Sequence, residues 1–97
     1  HDKMPDVVLY REDKNWLYFI ESVTSVGPMD SKRVIEISEM TKNVNAGKIF
    51  VTAFPNFSTY KKFADSLAWD TEVWISEMPE HMIHLNGDRF MGPRENI

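Results

Sequence analysis

The chain has 97 residues, 42% of them hydrophobic and 27% charged, with 11 Lys plus Arg against 15 Asp plus Glu for a net charge of −4. This size and balance describe one domain with a core of its own and leave no room for a long disordered tail. No apolar run approaches the roughly 20 residues of a membrane span, and no signal-peptide pattern opens the chain, so a cytoplasmic address is expected. The absence of cysteine excludes disulfides, thiolate zinc sites and cysteine nucleophiles. The acidic balance argues against a protein that grips nucleic acid mainly through its own positive field. The chain opens on His1 rather than Met, and it reads as a piece of a longer polypeptide.

Asp6-Val-Val-Leu-Tyr10 is a short apolar run after a proline, rich in β-branched residues, and predicts a strand. Arg11 to Asn15 is wholly polar and reads as a turn. Trp16 to Val23 predicts a second strand, apolar at five successive positions as a central strand would be. The two lie too close in sequence for a crossover and form an antiparallel hairpin. After Gly27-Pro28 the period lengthens: Val34, Ile35, Ile37 and Met40 fall on a helical stripe, with Asp30 or Ser31 as the N-cap. Lys48 to Phe54 predicts a third strand stopped by Pro55. A second helix capped by Ser58 carries Tyr60, Phe63, Ala64 and Leu67 on its apolar side. Thr71 to Glu77 and His81 to Leu85 predict two further strands, the last before the Asn86-Gly87 turn pair. The order β-β-α-β-α-β-β implies crossovers and a partly parallel sheet, hence a mixed α/β (α+β) fold over a single domain, residues 1–97.

One constellation carries chemistry. Folding the hairpin about Asp13-Lys14 places Tyr10 opposite Leu17, Val8 opposite Phe19 and Asp6 opposite Glu21. Directly opposed side chains share a face, and two carboxylates so placed repel unless a proton or a cation sits between them. A hard divalent ion such as Mg²⁺, which takes oxygen ligands and keeps several waters, suits the pair. The competing reading is an acid at a strand end, solvated or paired with a Lys or Arg. Glu21 stands out in either case, because it interrupts an apolar strand where an unpartnered charge is costly.

Pro5-Asp6 followed by Glu21 on the next strand resembles the PD-(D/E)XK nuclease superfamily. The longer segments MPDVVLY (Met4 to Tyr10), NWLYFIESVTSVGP (Asn15 to Pro28), VTAFP (Val51 to Pro55), WDTEVWISEM (Trp69 to Met78) and HMIHLNGDRFMGP (His81 to Pro93) are more specific. Together they resemble the C-terminal catalytic domain of the BsuBI/PstI family of type II restriction endonucleases. The resemblance implies Mg²⁺-dependent phosphodiester hydrolysis in double-stranded DNA at palindromic hexamers of the CTGCAG type, and a palindrome goes with a two-fold homodimer. It also implies that Asp6 and Glu21 are the two motif acids, and that the Ser22 carbonyl is the backbone ligand to the same ion, which would polarise the phosphate and acidify the attacking water. The motif's lysine belongs two residues after the second acid, where this chain has Val23. Lys32, in the first turn of the following helix, is the candidate for a migrated lysine; an exposed helix residue is the alternative.

Thr24 and Ser25 leave the strand beside the proposed metal, and their hydroxyls suit either a phosphate or ordinary turn bonding. Arg33 joins Lys32 in a small basic spot fit for DNA phosphate contact or for solvent. Arg89 is expected to read a guanine edge or bind phosphate, or else to serve the turn it sits in. His81 and His84, three apart on a strand, face opposite sides, so a shared metal is not expected, and His84 reads as packed or hydrogen-bonded. Two other classes compete with the nuclease. One is a catalytically silent DNA-binding or dimerisation domain of the same fold; the other is a small interaction module whose acids do no chemistry.

Overall fold

The structure is a computed structural model that describes residues 3–23 and 27–88. Five strands and two helices follow the predicted order: β1 Val7–Arg11, β2 Trp16–Ser22, α1 Ser31–Met40, β3 Gly47–Phe54, α2 Phe57–Phe63, β4 Thr71–Ile75 and β5 Ile83–Leu85. They form one mixed sheet in the order β1-β2-β3-β4-β5. The β1/β2 and β4/β5 pairs are antiparallel, and β2, β3 and β4 run parallel.

Two consecutive crossovers step in one direction across the sheet, so right-handedness puts both helices on the same face. The packing agrees. Phe50, Thr52 and Phe54 alternate along β3 and share that face. Under α1, Phe19 and Phe50 stack with ring centroids 5.5 Å apart and join Met29 and Ile37 in a buried cluster. Under α2, Phe54 meets Val23, Val73 and Ile75, with Tyr60, Phe63 and Leu67 closing over them. Ile35, counted on the predicted stripe of α1, is exposed.

The main departures from the sequence prediction lie at α2 and between β4 and β5. Asn56, not Ser58, caps α2: its Oδ1 accepts the Thr59 N–H at 2.8 Å and the Thr59 hydroxyl at 2.7 Å, leaving Ser58 inside the first turn. The helix tightens into a 3₁₀ turn at Ala64–Ser66, yet Leu67 still reaches the core. β4 and β5 are shorter than predicted because the backbone between them turns, with the Met78 N–H on the Ile75 carbonyl and the His81 N–H on the Met78 carbonyl. Among the described residues no helix is long and apolar enough to cross a membrane.

Candidate active site

The site begins with a proline. The observed hairpin register pairs Val7 with Ile20, Val8 with Phe19 and Tyr10 with Leu17. Continued outward, it sets Asp6 against Glu21 and Pro5 against Ser22. Proline has no N–H to give the Ser22 carbonyl, so the ladder stops there. The Ser22 N–H turns instead to the Asp6 carboxylate, donating to Oδ2 at 2.8 Å. In a strand the N–H and C=O of one residue leave on the same side, so the Ser22 carbonyl points the way its N–H does, toward Asp6.

Glu21 is the neighbour of Thr52 across the β2/β3 ladder. The buried Thr52 hydroxyl accepts the Met29 N–H at 3.0 Å, and this bond draws the segment after Pro28 back over the sheet. Asp30 then caps α1, its Oδ1 accepting the Arg33 N–H at 2.8 Å. The cap fixes Arg33 above Glu21. The guanidinium grips both carboxylate oxygens, Nε to Oε2 at 2.8 Å and Nη2 to Oε1 at 3.4 Å, while Nη1 reaches Glu36 Oε1 at 3.3 Å. Glu21 is 7% exposed, and the Arg33 side chain 13%. The hydrogen bonds and charge of Glu21, foremost, hold the Arg33 guanidinium above its ordinary pKa. These residues border a cleft of about 300 Å³ lined by Asp6, Glu21, Lys32, Arg33, Glu36 and Lys3, among others.

The structure therefore brings Asp6, Glu21, Lys32 and Arg33 to one cleft, with the Ser22 N–H bonded to the Asp6 carboxylate. Lys32 is exposed there. Val23, at the position of the motif lysine, is 2% exposed and part of the core beneath α2. Thr24, Ser25 and Arg89 lie outside the described residues. His84 stands apart on β5 with Nδ1 2.6 Å from Glu72 Oε2. Among the described residues no three His, Asp or Glu side chains gather around a common point.

Glu21 is thus paired with an arginine, one of the arrangements its sequence context allows; that the partner is Arg33, read from sequence as a phosphate-binding or solvated residue, is new. A signal for it existed. Lys32 and Arg33 put two cations in the first turn of a helix, against the macrodipole, and such a local conflict marks a residue held there by something else.

Residues 1–88 match the BsuBI/PstI restriction endonuclease domain family. The chain belongs to this family. It is similar to the type II restriction enzyme BsuBI of Bacillus subtilis, 50% identical over 95 residues that cover 98% of this chain and 30% of that protein. It is also similar to the type II restriction enzyme AplI of Arthrospira platensis, 37% identical over 91 residues, 94% of this chain and 28% of the relative. The solved structure of SdaI restriction endonuclease superposes with a TM-score of 0.86 at 42% identity, covering 99% of this chain and 30% of that one. The fold is thus that of a restriction endonuclease, and the chain spans about 30% of the length of these relatives.

Proposed function

We propose that this chain is the catalytic domain of a type II restriction endonuclease, a single domain on the C-terminal side of a longer polypeptide. It hydrolyses phosphodiester bonds of double-stranded DNA at a palindromic hexamer of the CTGCAG type, with Mg²⁺, as a two-fold homodimer. The observation that carries the reading is the meeting of Asp6 and Glu21 on adjacent strands at the mouth of a cleft that also holds Lys32.

The donors present fit a hard cation. Mg²⁺ is usually bound through one or two carboxylates while keeping several waters, so Asp6, Glu21 and the Ser22 carbonyl form a sufficient set without a third acid. When bound, the ion polarises the scissile phosphate and lowers the pKa of the attacking water. The chain's residues do the remainder. The Ser22 N–H orients the Asp6 carboxylate, the Asp30 cap fixes the first turn of α1, and Lys32 supplies a cation for the phosphate's non-bridging oxygens. Thr24, Ser25, Arg33 and Arg89 are assigned to DNA contact.

Asp6→Asn is the direct test. Asparagine still accepts the Ser22 N–H, so the fold survives while half the anionic charge of the pair goes. Calorimetric titration with Mn²⁺ should show binding lost in Asp6→Asn and in Glu21→Gln, together with loss of cleavage. Affinity unchanged in both variants would remove the metal site.

A second reading, a domain that binds DNA without cutting it, draws on Val23 in the core and on Arg33 neutralising Glu21. Wild-type protein that binds duplex DNA yet neither takes up Mn²⁺ nor cleaves would favour it.

A further inference from the structure

Both oxygens of Glu21 are engaged by one guanidinium in a nearly buried pair. A carboxylate committed in this way is well placed but not vacant. A divalent ion approaching Asp6 and Glu21 meets a positive charge already seated on one of its two acids. Arg33 also has somewhere to go, because Nη1 already holds Glu36 on the next turn of α1. The cleft beside it is open and lined by further charges of both signs.

We propose that Arg33 is the resident counter-ion of Glu21. It holds the carboxylate in position before metal arrives and competes with the ion for it, so that metal entry shifts the guanidinium toward Glu36 and the cleft. The inference rests on the metal reading given above. Arg33 is a positioning residue in this scheme: it acts on the ion through Glu21, and its displacement makes it available for a phosphate. The logic is electrostatic. Opposite charges a few ångströms apart at a partly buried site interact strongly, and removing the competitor returns that interaction to the incoming cation.

The test is Mn²⁺ calorimetry on the full-length polypeptide, paired with thermal melts with and without Mn²⁺. Arg33→Gln should bind Mn²⁺ about tenfold more tightly than wild type or better, which is one pKa unit's worth of interaction. It should also melt lower without the ion and recover part of the difference with it. Arg33→Lys keeps the charge but loses the two-pronged grip, so it should fold and tighten binding by a smaller factor. If Arg33→Gln does not fold, Arg33→Lys decides alone. Mn²⁺ affinity unchanged or weakened in the folded variants, with wild type binding normally, would make Arg33 a packing partner only and leave the metal site standing. Wild type that binds no Mn²⁺ would overturn this proposal and the metal reading together.

Discussion

At the scale of single residues the site divides by what can be traced from the chain. Asp6 opposite Glu21 follows from the hairpin alone, because a short polar turn between two apolar strands fixes the register. Lys32 beside them follows from the short path between β2 and α1. Its role is open to a kinetic test. Preorganised donors aimed at developing phosphate charge are commonly worth ~10²–10³ in rate, by analogy with oxyanion-hole variants. Lys32→Ala in the full-length polypeptide should slow single-turnover cleavage by that order with DNA affinity nearly unchanged; cleavage at the wild-type rate would assign Lys32 to the solvated helix face. Transplanting the lysine back to Val23 is not a remedy. The side chain would sit among Phe54, Val73 and Ile75, where an uncompensated charge costs roughly 3–5 kcal/mol. The Arg33–Glu21 pair, by contrast, depends on how far the chain after Pro28 is carried back across the sheet. That is set by a bond between Met29 and Thr52, 23 residues apart, and no local pattern encodes it.

At the scale of elements, α1 does two jobs with one cap. Asp30 satisfies the Arg33 N–H at the helix start and by the same bond sets the height of the Arg33 side chain over Glu21. Asp30→Ala should therefore cost about 1 kcal/mol of stability in urea melts, the usual scale for losing an N-cap, and should tighten Mn²⁺ binding as the first turn frays and Arg33 loosens its hold on Glu21. A variant that loses stability without any change at the metal would separate the two jobs. The α2 cap shows where sequence reasoning goes astray. Asn56 and Ser58 are both good capping types two residues apart; Asn56 prevails because Thr59 offers it both an N–H and a hydroxyl, a choice visible only once the turn is built. Strands β1 to β4 begin or end within two residues of their predicted limits, since alternating or continuous apolar runs bounded by turns leave little latitude.

At the scale of the whole molecule, the topology was legible because handedness constrains it: two helices between three strands that step one way must cover one face. The electrostatics point elsewhere. With a net charge of −4, and with Arg11, Arg33 and Lys42 each held by a neighbouring acid, the 97-residue chain is poorly equipped for phosphate neutralisation. Specific complexes commonly reach Kd of ~10⁻⁸–10⁻¹¹ M, much of it from such contacts. These residues alone should bind duplex DNA weakly and with little sequence preference in gel shifts at physiological salt. Tight hexamer-specific binding would show that the remaining two-thirds or so of the relatives' length is dispensable for recognition.

The proline that ends the hairpin ladder has a second effect, on solubility. β1 lies at the margin of the sheet, and Val7, Val8, Leu9 and Tyr10 are each 42–56% exposed, an adhesive border by composition. Pro5 stands just before this stretch and cannot extend it, and Arg11 closes it with a charge held between Asp13 and the face of Trp16. The sticky stretch that remains is shorter than the six- or seven-residue segments that stack into fibrils. The residue that leaves the Ser22 carbonyl without a partner N–H in the hairpin ladder thus also helps keep the edge of the sheet from recruiting another copy of itself.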